Sequence, residues 1–86
     1  MQSESWQRAL SVLDELVEYQ RQRLLREGRK VVPTLTPEDM LQPNDYPELE
    51  NNPEFRYEEG VFAGMLSAQM AVQAASRDAE AVSDSS

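Results

Sequence analysis

Two stretches of the chain repeat apolar residues at helical spacing, and a proline-rich stretch separates them. In the first, Trp6, Leu10, Leu13, Val17, Gln20 and Leu24 alternate four and three residues apart. That spacing sets them in one stripe, as at the a and d positions of a coiled coil. Ala9 and Leu16 widen the stripe. Ser3 or Ser5 suits a helix cap, and Gly28 stands where a C′ glycine ends a helix. Arg21, Arg23, Arg26, Arg29 and Lys30 crowd the last turns, where cations suit the helix dipole. The pattern predicts a helix from about Ser5 to about Glu27.

The second stretch opens at Asn52-Pro53-Glu54, a capping residue, a first-turn proline and a first-turn acid. It predicts a helix over about 53–78. Tyr57, Val61, Gly64, Ala68, Ala71 and Ala75 again alternate four-three, in a stripe of mostly small residues. Gly60 and Gly64 form a GxxxG spacing, which in a soluble chain is a packing feature. Phe55, Phe62 and Leu66 lie roughly 100° away on a second apolar face. One helix covers only one of these faces. The expected helix-packing set is Trp6, Leu10, Leu13, Val17 and Leu24 against Tyr57, Val61, Gly64, Ala68 and Ala71. The second face then awaits the connector or another subunit.

The connector, residues 29–52, is far longer than the two to eight residues usual between packed helices. Thr36-Pro37-Glu38-Asp39 reads as a cap followed by a short turn through Met40 and Leu41. Pro43-Asn44-Asp45 breaks that turn, and Asp45-Tyr46-Pro47-Glu48 starts another that ends at Asn51. A mere spacer needs no Tyr46, Leu49, Phe55 or Tyr57 around its end. Such groups pack onto something, first of all onto the chain's own helices. Residues 1–79 form one small helical domain by this reading, with a disordered acidic, serine-rich tail over 80–86.

Composition narrows function by exclusion. The chain has no cysteine and no histidine. Disulfide frameworks, zinc fingers and nucleophile–histidine sites are therefore absent. No P-loop, GxGxxG or catalytic triad occurs, so no cofactor and no metal are expected. Glu54, Glu58 and Glu59 are the densest carboxylate cluster, but first-turn acids favour the helix dipole without further purpose. A calcium loop starting at Asp45 fails, because Glu50 stands where glycine is needed and Arg56 where the bidentate glutamate is needed.

The net charge of −8 is uneven. Residues 1–30 carry six basic and five acidic side chains; residues 31–86 carry two and eleven. Such a body repels phosphate and favours basic protein surfaces. No signal peptide is expected at the amino terminus. The least charged segment, residues 60–76, would span about 25 Å as a helix, short of a membrane core. A cytoplasmic, non-membrane protein is the expectation.

The expected fold is all-α, two long helices packed as a hairpin or coiled-coil pair with an ordered proline-rich connector. Two apolar faces on the second helix predict a homodimer. The expected function is a non-enzymatic protein-interaction module, an adaptor or small chaperone. Its docking face would be Tyr46, Leu49, Phe55, Phe62 and Leu66, rimmed by Glu48, Glu50, Glu54 and Glu59, meeting a basic or amphipathic segment. The alternative is a regulator that contacts nucleic acid through Arg21 to Lys30.

Overall fold

The computed structural model describes the backbone of residues 4–42 and 45–85, with side chains as far as residue 81. A capping role for Ser3 and the break at Pro43-Asn44 lie outside these residues. The chain is all-α: α1 spans Glu4–Val31, α2 is the single turn Pro47–Glu50, and α3 spans Pro53–Ser85. A 3-10 turn covers Asp39–Leu41 between α1 and α2, and no strand occurs among the described residues.

The two long helices pack against each other in antiparallel fashion. Near the connector, Gln20 on α1 meets Glu58 on α3. Farther from it, Asp14 accepts a hydrogen bond from Gln69 at 2.7 Å. Moving back along α1 thus moves forward along α3. The result is a rod of 54 × 19 × 18 Å.

The capping signals hold where α3 begins. The Asn52 side chain accepts from the Phe55 amide at 2.8 Å, and Pro53 takes the first turn. At its other end α3 runs on to Ser85, past the expected stop near residue 78 and into the stretch expected to be disordered. Between Arg77 and Ser85 the sequence has no glycine or proline to stop it.

α1 also ends later than the capping pattern suggests. The Val32 amide donates to the Gly28 carbonyl at 2.8 Å, so the helical ladder passes straight through Gly28. Gly28 has no left-handed backbone. What it provides is space: a Cβ there would collide with Leu35 Cδ2 and stand 3.3 Å from the Phe55 ring. The chain reverses over Val32 to Leu35, closed by a bond from the Leu35 amide to the Val32 carbonyl at 3.0 Å. Arg29 Nε then donates to the Leu35 carbonyl at 2.8 Å and holds the turn against α1.

Leu35 seats in a core with Leu24, Leu25, Leu49 and Phe55, at the connector end of the rod. Leu35, Leu49 and Phe55 are all at most 1% exposed. Val31, Val32, Met40, Tyr46 and Phe62 pack around them. The connector is therefore part of the core, as the apolar residues in it suggested.

The face of α3 that meets α1 is the other one. Phe55, Glu58, Phe62, Leu66, Gln69 and Ser76 are buried or half-buried, while Tyr57, Gly64, Ala68 and Ala71 face solvent and Val61 is half-buried. The expected close approach along the small stripe is thus corrected. Nothing lies within 4 Å of a Cβ built at Gly60 or Gly64. The reason is area: burying a phenylalanine or leucine stabilises by about 1.5–3 kcal/mol, and glycine and alanine have far less to bury. On α1 the four-three stripe behaves as read, with Val17 and Leu24 buried and Trp6, Leu10 and Leu13 half-buried, whereas Ala9 and Leu16, read as widening it, are exposed and are corrected.

Gly28 and Gly60 should therefore respond oppositely to alanine. We expect Gly28→Ala to lower stability by about 1–2 kcal/mol net, overpacking outweighing the gain in helix propensity. Gly60→Ala should raise stability by roughly 0.5–1 kcal/mol. Urea unfolding of both variants checks the pair. A Gly28→Ala protein as stable as Gly60→Ala would mean that Leu35 yields freely.

Candidate functional site

Behind the connector core a polar layer crosses the helix pair. Glu58 is buried on α3. One of its carboxylate oxygens accepts from Gln20 Nε2 at 2.6 Å, the other from Arg23 Nε at 3.0 Å. Gln20 also donates to the Glu58 carbonyl at 3.2 Å. Its hydrogen bond with Glu58 pushes the Arg23 guanidinium up from its ordinary value, so it stays charged. Gln20 belongs to the core stripe, and this layer is why a glutamine can sit there: its amide finds a partner across the interface. No buried side-chain nitrogen or oxygen lacks a partner among the described residues.

Beside this layer lies a groove of about 340 Å³, lined by Arg23 and Glu27 of α1 and by Pro53, Glu54, Tyr57 and Glu58 of α3. Tyr57 is 69% exposed and forms the apolar wall. Glu54 is exposed on the rim, and Glu27 is paired with Lys30 at 2.8 Å, which pushes the lysine up. The floor carboxylate, Glu58, is spent on Gln20 and Arg23. The groove thus combines one aromatic plate with the exposed carboxylate of Glu54, beside Arg23 and the Lys30-paired Glu27.

The connector has its own polar lock. The Thr36 amide donates to Asp39 Oδ2 at 2.9 Å, and the Asp39 amide to Thr36 Oγ1 at 3.2 Å, a reciprocal cap for the 3-10 turn. The Tyr46 hydroxyl bonds to the same carboxylate. The Thr36 amide, then the Thr36 hydroxyl, and more weakly Tyr46 hold Asp39 below its ordinary value. Burial first, then the Asp39 charge, pushes Tyr46 up.

The docking face read from the sequence divides in this structure. Leu49 and Phe55 are sealed in the core and are corrected as docking residues. Tyr46 and Phe62 are half-buried against that core, and Leu66 is half-buried between the helices. Arg21 lies over the Phe62 ring at 4.9 Å. Of the acidic rim, Glu48, Glu50 and Glu54 are exposed, whereas Glu59 is half-buried and paired with Arg56 at 3.2 Å. Tyr57, read as a packing residue, remains accessible, as does Tyr19 on α1.

The basic cluster is largely engaged. Arg21 pairs with Glu18 at 3.2 Å, Arg23 with Glu58, Arg29 with the Leu35 carbonyl and Lys30 with Glu27. Gln22 first, and Arg21 after it, push Glu18 down. Among the described residues no group of three or more acids stands close enough to hold a metal ion. No helix among them is long and apolar enough to cross a membrane.

No protein-family model, curated protein or solved structure matches this chain. Its function must be argued from its own surfaces.

The polar layer yields one expectation and the connector lock another. Glu58→Ala leaves the Gln20 amide buried with only a backbone acceptor, and should cost about 1–3 kcal/mol. Arg23→Ala removes a half-exposed partner and should cost no more than about 1 kcal/mol. Equilibrium unfolding in urea ranks the two, and equal losses would refute the buried layer. For Asp39, a carboxylate held down in the folded state stabilises the connector above its ordinary value of 3.8 and loses that effect as the pH falls through the folded pKa. Thr36→Val should move the Asp39 midpoint part of the way back towards 3.8 in a carboxyl-carbon NMR titration.

Proposed function

We propose that the chain is a non-catalytic protein-interaction module that captures a basic segment of another protein at the groove beside Tyr57. The observation that carries this reading is the position of Tyr57, 69% exposed on the wall of a groove rimmed by Glu54 and Glu27. An exposed aromatic plate beside carboxylates suits a lysine or arginine side chain. The ring contacts the alkyl stem or faces the cation, and the exposed Glu54 takes the charge. Leu41, 76% exposed in the connector, offers a further apolar contact at the same end of the rod.

The charge distribution supports a basic partner. Glu54 lines the groove, and Glu48 and Glu50 also stand exposed on the part of the chain with the surplus of acids. They steer a cationic segment and reject an anionic one. Catalysis has less support, because the carboxylate in the groove floor already serves two structural hydrogen bonds. Nucleic acid has less support as well, since most of the basic cluster is held by neighbouring carboxylates or the backbone. The setting we propose is the cytoplasm, where an adaptor or small chaperone would meet such segments.

An NMR titration of the labelled protein with a lysine- and arginine-rich amphipathic peptide tests this reading. Shifts should centre on Glu27, Glu54 and Tyr57. Tyr57→Ala should weaken binding by about 2 kcal/mol. Glu54→Lys should weaken it mainly at low salt. A peptide with its basic residues replaced by glutamate should not bind. If a DNA duplex binds instead, with an affinity that falls steeply with salt, the nucleic-acid reading replaces this one.

A further inference from the structure

The contacts between α1 and α3 fix which flanks of the two helices lie side by side. The groove joins Arg23 and Glu27 to Glu54 and Tyr57 on one side of the rod. On the opposite side Arg21 meets Phe62. Following the first side away from the connector at about 100° per residue, α1 presents Tyr19, Leu16, Val12 and Ala9. Its neighbour α3 presents Tyr57, Val61, Met65, Ala68 and Val72. Tyr19, Val12 and Leu16 are 57%, 50% and 46% exposed. From Tyr19 to Ala9 and from Tyr57 to Ala75 these rows hold no charged side chain. The other flank of α1 carries Asp14, Glu18 and Arg21 instead. Beyond the groove, the hairpin therefore has one charge-free apolar side and one charged side.

We propose that this charge-free side is closed by a second copy of the chain, packed antiparallel to the first, in a four-helix bundle. Two observations select a second copy, and a third limits which surface it can use. The first is area. Compact monomers of this mass expose about 5,200 Å², whereas this chain exposes 6012 Å². The excess, about 800 Å², is the share that each partner buries in a standard stable interface. The second is shape. The radius of gyration is 16.7 Å, against about 12 Å for a compact domain of this length. Pairing two rods side by side thickens them towards an ordinary domain. The third is charge. Two molecules of net charge −8 repel each other, so they associate where neither presents a charge.

The same electrostatics sets the orientation. The acidic residues of the connector gather at one end of a 54 Å rod. Parallel packing would bring the two acidic ends together. Antiparallel packing separates them by several Debye lengths, each about 8 Å at physiological salt. The two-fold axis then passes near the middle of the face, by Leu16 and Ala68. Their small size lets Gly64, Ala68 and Ala71 admit a neighbouring helix closely without being the cause of association.

Analytical ultracentrifugation and engineered cross-links test the proposal together. The parent should sediment at twice 9.8 kDa in the micromolar range. Leu16→Glu should raise the dissociation constant at least about tenfold, because it buries a charge in the interface, while circular dichroism shows the helices retained. The chain has no cysteine of its own. Under mild oxidation Ala68→Cys should form disulfide-linked dimers, whereas Tyr57→Cys should not, since its two copies would lie about 30 Å apart. A parent that stays monomeric at hundreds of micromolar overturns the proposal. So does a dimer indifferent to Leu16→Glu, which would place association on another surface. Cross-linking through Tyr57→Cys alone overturns the antiparallel arrangement. Peptide binding at the groove does not require the dimer, so loss of one reading leaves the other standing.

Discussion

The absence of one side chain, at Gly28, organises the connector end of the molecule. A Cβ there would occupy the place of Leu35 and press on the Phe55 ring. Because it is missing, the chain folds back over the last turn of α1 and drops Leu35 between the two long helices. Leu49 arrives from α2 and Phe55 from the first turn of α3, and both close on the same site. Three segments distant in sequence thus share a core around a single backbone position. Arg29 ties the reversal from above by its bond to the Leu35 carbonyl. The long connector is not slack; it is the third wall of a core that two helices alone would leave open.

The next layer fixes how the helices slide against each other. Apolar stripes tolerate displacement by a turn, about 5.4 Å, since leucine meets leucine again. The Glu58 carboxylate does not tolerate it, because both of its oxygens need Gln20 and Arg23 opposite. A slipped register would leave Gln20 and Glu58 buried without partners. Beyond this layer the pair buries fewer large apolar side chains, although Ser76 on α3 is fully buried. Trp6, Leu10 and Leu13 are only half-buried, and Gln69 and Asp14 meet at the surface. Stability should fall along the rod from the connector towards the free helix ends.

Much of this was legible in the sequence, and the exceptions share a cause. The periodicity of Trp6 to Leu24, the cap at Asn52, the Thr36 turn and the Pro47 turn all depend on neighbours in sequence, and all appear in the structure. The apolar residues of the connector pointed correctly to packing on the chain's own helices. Three readings failed because they depended on which side chains meet in three dimensions. Gly28 looks like a helix terminator until Leu35 is known to press on it. The small stripe of α3 looks like a close-packing seam until the larger Phe55 and Phe62 compete for the same partner. Leu49 and Phe55 look like surplus anchors until the connector is seen to enclose them. The most exposed aromatic of the groove, Tyr57, was visible in the sequence but assigned to the seam. Its proximity to Glu54, three residues away, was the signal for a surface role.

The failed seam has a physical consequence of its own. A helix with two apolar faces, in a chain with one long partner helix, must leave one face without intramolecular cover. The larger side chains win the intramolecular partner, because their burial releases more free energy per residue. The smaller and flatter face is then left on the surface, and on this hairpin it lies beside Val12, Leu16 and Tyr19 of α1. Those α1 residues are larger than the core stripe of one helix requires, and they stay about half exposed in the hairpin. The groove beside Tyr57, by contrast, lies towards the connector end of that same side. Aromatic Tyr57 stands at the boundary, between a surface shaped by the lack of charge and one shaped by its excess. A partner held at the groove would therefore lie at the edge of whatever covers the apolar side, and the length of the segment it inserts would decide whether the two occupants touch.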